Sequence, residues 1–220
     1  MTGNDLAEGL IQAVADVEEE KALELAAEMI SRGVEPLLII DACQKGLDVV
    51  GKRYERREYF LSALIMSGEI FREITVLLEK EGYFKPSEDE EAPKVILGAP
   101  LGDIHDLGKY IVSVLLRRAG FRVIDLGVSV VPARFVEAAA EEDARLVAMS
   151  ALITAAYEPI RETVAGFEKA GLRERVKIML GGGAINQMVC THTGADAWSR
   201  QATDAVKFAR EFLGGTPGQC

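Results

Sequence analysis

Several common signals of function are missing from this 220-residue sequence. Neither G-x-x-x-x-G-K-S/T nor G-x-G-x-x-G occurs, so the two familiar phosphate-binding loops are absent. No apolar run approaches the roughly 18 residues that a membrane helix needs, and the N-terminus lacks the basic and apolar segments of a signal peptide. The hydrophobic fraction of 49% nevertheless predicts a globular protein with substantial cores.

Basic residues and cysteines are also scarce, which excludes further classes of protein and of metal site. Lysine and arginine number 25 against 35 acidic residues, a net charge of −10, whereas nucleic-acid binding needs a basic face. Cys43, Cys190 and Cys220 lie far apart without C-x-x-C spacing, which predicts neither a disulfide framework nor a thiolate metal site. We therefore expect a reduced, cytoplasmic protein that binds neither nucleic acid nor membrane.

Residues 1–84 have the apolar spacing of amphipathic helices, as in the segment LAEGLIQAV. Gly33 suits the end of one helix, and Pro36 suits the first turn of the next. Four such helices with short connections predict a four-helix bundle. Residues 85–93, KPSEDEEAP, hold two prolines among acidic residues and predict a linker.

Residues 94–215 change to short aliphatic runs that alternate with helical segments. KVILGA, RVIDLG, LVAMSAL and VKIMLGGG have the length and composition of buried parallel strands, and ADAW is a candidate for a fifth. Alternation of this kind predicts an α/β domain with a doubly wound, five-stranded parallel sheet of the flavodoxin- or Rossmann-like type.

The unusual residues collect in loops that follow three of the predicted strands. These loops read GAPLGDIHDLG, SALITAAYE and GGGAIN, and open α/β sheets bind ligands beyond the carboxyl ends of their strands. Each loop also has a plainer interpretation. Ser150 and Thr154 are typical capping residues, Asp106 suits the N-cap of the next helix, and the glycines suit a tight turn.

His105 is the residue that a plain loop explains least well. A metal-binding imidazole usually donates its other N–H to a carboxylate, and Asp103 lies two residues earlier. One histidine without a nearby cysteine cannot make a tetrahedral zinc site. A metal at His105 would have to bring its other ligands with it, which points to a macrocycle.

Three motifs together resemble the cobalamin-binding domains of methionine synthase and of small corrinoid proteins. D-x-H-x-x-G is followed by S-x-L and then by a G-G turn, in the order that this family has. The helical region before them resembles the cap module of the same proteins, so the resemblance covers almost the whole chain. The residues that carry the motifs are Asp103, His105, Gly108, Ser150, Leu152, Gly182 and Gly183.

The resemblance implies bound cobalamin, as methylcobalamin or hydroxocobalamin, or a related cobamide whose own lower base is displaced from the cobalt. His105 is then the lower axial ligand of the cobalt, with Asp103 as its hydrogen-bond partner, and these two residues act in the chemistry. The other cofactor-binding residues that the resemblance implies, most of them around a cleft for the nucleotide tail, are Asp106, Gly108, Ser150, Leu152, Thr154, Gly182 and Gly183.

The same resemblance places the helical module over the upper face of the corrin. Phe60, Leu61 and Leu64 are the expected contacts, although a place in the bundle core is the commoner role for any one of them. Ala156 departs from the family, because methionine synthase has a serine there that extends the histidine–aspartate relay. The relay here is therefore shorter, or it uses water or another hydroxyl such as that of Tyr157.

The implied function is that of a corrinoid methyl carrier, which is not catalytic alone. It takes a methyl group on Co(I) from a substrate:corrinoid methyltransferase and delivers it to a methylcorrinoid:tetrahydrofolate, or coenzyme M, methyltransferase, with a reductive activase as third partner. We favour O-demethylation of methoxylated aromatics, with methylamines or methanol as alternative donors. A mutase subunit, a B12-dependent regulator and a flavodoxin-like or receiver-like signalling domain are the other interpretations, and the last leaves His105 unexplained.

Overall fold

Residues 3–82 and 91–213 are described by the computed structural model, in which the chain divides into two compact units, Met1–Lys85 and Pro86–Cys220. We call them the helical unit and the α/β unit. Of the predicted acidic linker, only the last three residues lie within the described ranges. No helix within those ranges has the length and apolar character that a membrane span requires.

Four α-helices make up the helical unit, as predicted: α1 (Gly3–Ala15), α2 (Glu19–Ser31), α3 (Pro36–Glu55) and α4 (Leu61–Lys80). α1 and α4 each pack against both α2 and α3. Leu6, Ile39 and Leu78 are fully buried among these helices. Gly46 lets α3 approach α1 closely, because a Cβ at this position would lie 2.6 Å from that of Val14.

The α/β unit contains the predicted doubly wound parallel sheet, with the strand order β2-β1-β3-β4-β5. The strands are β1 (Lys94–Gly98), β2 (Arg122–Asp125), β3 (Leu146–Ser150), β4 (Lys177–Gly181) and β5 (Ala197–Ser199). The helices are α5 (Leu107–Arg118), α6 (Pro132–Glu141), α7 (Tyr157–Lys169), α8 (Gln187–Thr193) and α9 (Thr203–Leu213), and a 3-10 turn, Thr154–Ala156, precedes α7. The fifth strand begins two residues after the start of the ADAW segment that predicted it.

Helices cover both faces of this sheet. Successive side chains of a strand point to opposite faces, so Val95 and Leu97 of β1 pack with α5 and α9, whereas Ile96 packs with α6, α7 and α8. Both faces of the sheet are therefore buried, which accounts for the nearly continuous aliphatic composition of the strands.

A crevice forms where the strand order reverses, between β1 and β3. The chain runs from β1 to β2 on one side of β1, and the later strands lie on the other side. As a result α5, which follows β1, and α7, which follows β3, pack on opposite faces. Loops that diverge in this way leave a ligand crevice at the carboxyl ends of the strands. The D-x-H-x-x-G and S-x-L motifs lie on its two sides.

Candidate functional site

The loop after β1 buries Asp103 and leaves His105 at the surface. The Asp103 amide donates to the Pro100 carbonyl oxygen over 2.9 Å, and Gly102 adopts φ +84° to make this tight turn. The Asp103 side chain is fully buried, whereas 47% of the His105 side chain is exposed. The predicted pair is therefore present, with its carboxylate inside the protein and its imidazole outside.

Asp103 holds the imidazole in one orientation. Its Oδ1 lies 2.8 Å from His105 Nδ1 and also accepts the His105 backbone N–H over 3.0 Å. An ionised carboxylate can only accept hydrogen bonds, so Nδ1 must carry the ring proton. The lone pair then lies on Nε2, for which the described residues provide no hydrogen-bond partner. This is the tautomer that binds a metal through Nε2.

The second oxygen of Asp103 reaches across the crevice to the loop after β3. Oδ2 accepts the backbone N–H of Leu152 over 2.7 Å and that of Ile153 over 3.3 Å. Burial by itself raises the pKa of Asp103. The backbone N–H groups of His105 and Leu152, the His105 ring and the Ile153 N–H outweigh burial, so the pKa lies below its usual value. Asp103 is therefore ionised at neutral pH.

The histidine–aspartate relay ends on these main-chain donors. Ala156 is fully buried and offers no hydroxyl. The Tyr157 hydroxyl donates instead to the Ala184 carbonyl oxygen over 2.7 Å, so it does not supply the alternative contact suggested by the sequence. The relay within the described residues is thus the shorter of the versions considered, and the S-x-L motif contributes to it through the backbone N–H of Leu152.

A cleft that is partly open to solvent lies beside the crevice on the α5–α9 side of the sheet. Gly108, Ser150 and Gly182 line it together with the apolar side chains of Leu97 and Phe208. Its lining is mostly apolar, whereas Ser199 at the end of β5 and Arg200 and Gln201 just after it contribute polar groups. The lining suits a ligand with an apolar portion.

Of the two glycines of the G-G turn, Gly182 has no room for a side chain, whereas Gly183 only approaches the exposed end of the Leu152 side chain. Gly182 has φ +108°, and a Cβ there would lie 2.2 Å from the Ala151 carbonyl oxygen. A Cβ at Gly183 would lie 2.8 Å from Leu152 Cδ1. The G-G turn therefore brings the loop after β4 directly against the loop after β3.

The remaining predicted residues occupy the rim of the site. Asp106 is at the N-cap position of α5, as expected, but its side chain makes no capping hydrogen bond. Thr154 is exposed at the start of the 3-10 turn. Neither Thr154 nor Gly183 is among the residues that line the cleft.

Exposed apolar side chains lie in the loops at the same edge of the sheet as His105, and most of them were not predicted from the sequence. Ile104 is 70% exposed and Leu152 is 51% exposed, and Leu101, Val128 and Val131 are also exposed. All five belong to the loops after β1, β2 and β3, at the edge of the sheet where His105 lies. Ile104 carried a signal in the sequence, as the large aliphatic residue between Asp103 and His105, whereas Val128 and Val131 lie in a loop that has no motif.

The helical unit has its own exposed apolar surface at the start of α4. Phe60 is 84% exposed and Leu61 is 59% exposed, so neither is a core residue of the bundle, whereas Leu64 is half-buried. Ile65 and Met66, which the sequence analysis did not single out, are exposed beside them. We call Phe60, Leu61, Leu64, Ile65 and Met66 the α4 surface.

A polar network fixes the segment that leads into the α4 surface. Arg53 Nη1 donates to the Ala15 carbonyl oxygen, to Asp16 Oδ1 and to the Tyr59 hydroxyl, each over 2.8 Å. The Arg53 guanidinium also lies 5.2 Å from the centroid of the Tyr59 ring. Tyr59 is thereby tied to the C-terminus of α1, and Phe60 projects from the next position.

These features fit a corrinoid. A planar macrocycle needs one axial imidazole, an apolar surface around that imidazole and a place for its nucleotide tail. The α/β unit has an imidazole oriented by a buried carboxylate, exposed aliphatic residues at the same edge of the sheet and a cleft lined in part by glycine. Within residues 3–82 and 91–213, no group of three or more His, Cys, Asp or Glu side chains could hold a metal ion.

Comparison with known proteins gives the same family. Residues 93–207 match one model described as a B12 binding domain, and residues 6–79 match a second model with that description. A corrinoid protein of Desulfitobacterium hafniense is 36% identical over 214 residues, which is 95% of this chain and 98% of the relative.

Two solved structures are also similar. The monomethylamine corrinoid protein of Methanosarcina barkeri is 30% identical with a TM-score of 0.82, over 96% of this chain and 99% of its own. A chain of the methanol:cobalamin methyltransferase complex of the same organism is 28% identical with a TM-score of 0.54, over 97% of this chain and 81% of its own. The chain therefore belongs to the B12-binding corrinoid proteins, and its cofactor is cobalamin or a related corrinoid.

Proposed function

We propose that the chain carries methyl groups between two methyltransferases, on a cobamide whose cobalt His105 binds from below. The observation that carries this proposal is the 2.8 Å contact between His105 Nδ1 and the buried carboxylate of Asp103. When bound, the cofactor supplies a cobalt that accepts and releases a methyl group, and the protein supplies orientation and electrostatics.

Asp103 keeps the proton on Nδ1 in this proposal. Its carboxylate is buried, accepts three backbone N–H groups and has a lowered pKa, so it stays ionised at neutral pH. His105 Nε2 then faces outward with its lone pair. Because the carboxylate is anchored to the loop after β3, the imidazole would have a fixed support from which to hold the cobalt.

The cleft beside β3 holds the nucleotide tail in this proposal. Gly108, Ser150 and Gly182 line it, and Leu152 helps to form its edge through the bond from its backbone to Asp103. We place the other predicted contacts, Asp106, Thr154 and Gly183, at the rim, where Asp106 and Thr154 are exposed to a ligand.

The α4 surface covers the upper face of the corrin in this proposal. The exposure of Phe60 and Leu61 supports such a role, since large apolar side chains are normally buried unless they contact something. Contact with these side chains would exclude water from the methyl group between transfers.

Two methyltransferases are the partners that we propose, one specific for the donor and one for the acceptor, together with a reductive activase. The similar chain in a methanol:cobalamin methyltransferase complex supports a methyltransferase partner. A methylamine is the donor that we now place first, because the monomethylamine corrinoid protein matches with the higher TM-score. O-demethylation of methoxylated aromatics and transfer from methanol remain candidates, as do tetrahydrofolate and coenzyme M as acceptors.

Absorption spectra of the protein loaded with hydroxocobalamin test the central step. We expect the wild type to show a histidine-ligated spectrum and His105→Ala a water-ligated one. His192→Ala is the matched control, because it removes the other histidine of the chain and should leave the spectrum unchanged. Identical spectra for wild type and His105→Ala would remove His105 from the cobalt, and failure to bind cobalamin would contradict the proposal as a whole.

Methyl-transfer assays test the donor. The Co(I) form is mixed with a methylamine-, methanol- or methoxyarene-specific methyltransferase and its donor, and methylation is followed by absorbance. Methylation with only the methoxyarene enzyme would establish O-demethylation and overturn the preference for methylamines.

A further inference from the structure

We propose that the loop after β2 sets the position of His105, with Ser129 and Lys109 as positioning residues. We call residues 126–131 the β2–α6 loop. The inference rests on the proposed function only in that His105 is taken to bind the cobalt. The restraint of the loop can be tested without any cofactor.

Ser129 holds the His105 loop on its N-terminal side. Its Oγ accepts the Gly102 backbone N–H over 3.0 Å, and its own backbone N–H donates to the Asp103 carbonyl oxygen over 2.9 Å. Ser129 thus bonds the main chain on both sides of the peptide that joins Gly102 to Asp103. This peptide lies two residues before the proposed ligand.

The backbone of Ser129 is held in an unfavourable conformation to make these contacts. Its φ is +52°, in the left-handed region that non-glycine residues rarely adopt. Neighbouring bonds fix it there: Ala99 donates to the Gly127 carbonyl oxygen over 3.0 Å, and Val130 donates to the Ala99 carbonyl oxygen over 2.9 Å. Strain that is maintained by its surroundings is a feature of positioning elements.

Lys109 holds the same segment on its C-terminal side. It lies in the first turn of α5, its side chain is almost fully buried, and its Nζ donates to Asp125 Oδ2. Asp125 Oδ1 accepts the Gly127 backbone N–H over 2.8 Å. An ion pair between the buried Lys109 and the partly exposed Asp125 therefore connects the start of α5, four residues after His105, to the β2–α6 loop.

These two attachments leave only a short free segment around His105. The chain is fixed at Gly102 and Asp103 by Ser129, and at Lys109 by Asp125, while Ile104, His105 and Asp106 are exposed between them. Movement of the backbone that carries the imidazole is then confined to this segment. The carboxylate of Asp103 fixes the ring, and the β2–α6 loop fixes the backbone that carries the carboxylate.

Hydrogen exchange in the protein without cofactor tests the restraint directly. Ser129→Ala removes the acceptor and keeps the conformational strain, whereas Ser129→Gly removes both. We expect peptides that span Gly102 and Asp103 to exchange about tenfold faster in both variants, as the loss of one hydrogen bond of ordinary strength predicts. Arg134→Ala, which removes an exposed ion pair with Glu141 on α6, is the control and should exchange like the wild type. Unchanged exchange in both Ser129 variants would overturn the inference.

The cobalt spectrum of the loaded protein tests the consequence for the ligand. We expect Ser129→Ala, Ser129→Gly and Lys109→Met to bind hydroxocobalamin with a smaller histidine-ligated fraction than the wild type, at unchanged pH. Faster exchange with an undiminished histidine-ligated fraction would overturn the positioning role. If the wild type itself lacks histidine ligation, the proposed role of His105 fails, while the exchange data still decide whether Ser129 restrains the loop.

Discussion

The two units of the chain present their proposed functional surfaces in different ways. In the α/β unit, the key side chain is buried and every oxygen of its carboxylate is hydrogen-bonded, mostly to the main chain. In the helical unit, the surface consists of aliphatic and aromatic side chains that project from α4. A metal ligand must be held in one position, whereas an apolar cover needs only shape and exclusion of water. The α/β unit is therefore the one in which the key side chain is fixed by hydrogen bonds.

The largest expected effect is at Gly182. It sharpens this contrast, because a substitution there should destabilise the α/β unit, in which the proposed ligand is held by hydrogen bonds. Gly182→Ala would place Cβ 2.2 Å from the Ala151 carbonyl oxygen, at φ +108°. We expect the unfolding free energy of the α/β unit to fall by at least about 3 kcal/mol, with loss of cobalamin binding. Urea unfolding followed by circular dichroism measures the change.

Gly171→Ala is the control for the glycine effect. Gly171 has φ +68° with open space around its Cα, so alanine there should cost only about 1–2 kcal/mol. Equal losses for the two variants would show that the close contact with Ala151 does not matter.

Asp103→Ala should have the next largest effect. It leaves the N–H groups of Leu152, Ile153 and His105 without their acceptor, which we expect to cost about 2–4 kcal/mol. Asp103→Asn keeps one acceptor oxygen and should cost less. Thermal unfolding of the three proteins at pH 7 gives the order, and a stability of Asp103→Ala equal to that of the wild type would contradict the hydrogen-bond assignment.

The same carboxylate should make stability depend on pH. Its pKa is lower in the folded than in the unfolded protein, so its contribution is complete above the unfolded value of about 3.9 and is lost as pH falls through the folded value. Between pH 5 and pH 2.5, the wild type should therefore lose more unfolding free energy than Asp103→Asn. Parallel pH profiles would show that Asp103 is not the responsible group.

The α4 surface should show the opposite pattern, with function affected and stability preserved. Phe60→Ala and Leu61→Ala remove exposed side chains, so we expect changes in unfolding free energy within about 0.5 kcal/mol. Ile74→Ala, on the buried face of the same helix, should cost about 2–5 kcal/mol. Light-driven loss of the methyl group from bound methylcobalamin should speed up in the Phe60 and Leu61 variants, and an unchanged rate would remove the α4 surface from the corrin.

The smallest expected effect is a difference in reactivity between two buried thiols, one in each unit. Burial raises the pKa of Cys43 to about 12, and burial also raises the pKa of Cys190. At pH 8 both should react slowly with iodoacetamide in the native protein, Cys43 more slowly than Cys190, and both should react readily in urea. Peptide mass spectrometry measures the labelling, and fast native labelling of Cys43 would contradict its burial.

Patterns that depend on side chains were predictable from the sequence. The periodicity of four helices and the aliphatic runs of five strands fixed the fold class, and D-x-H placed Asp103 beside His105. Contacts made by the main chain were not predictable, because an N–H group is the same in every non-proline residue. For this reason Leu152 was predicted as a site residue from its identity in the S-x-L motif, whereas its backbone N–H makes the contact with Asp103.

Two further features were missed for related reasons. The Ser129 contact depends on a left-handed backbone that serine does not normally adopt, so the sequence VSV carries no turn signal. Tyr157 was considered as a relay hydroxyl next to Ala156, but in α7 its hydroxyl donates to the Ala184 carbonyl oxygen. Local order along the sequence does not determine which neighbouring loop a side chain meets.

The hydrogen bonding of Asp103 Oδ2 to the Leu152 and Ile153 N–H groups should also determine where the chain tolerates new termini. It joins two loops that belong to strands on either side of the switch in strand order, and it acts as an internal staple between the halves of the sheet. A circularly permuted protein with new termini between β1 and α5, or between β3 and α7, would have one end of this staple on a free chain terminus. New termini in the turn before β4 would leave the staple intact. Circular permutation should therefore be tolerated better there than in either of the two loops that the Asp103 carboxylate joins.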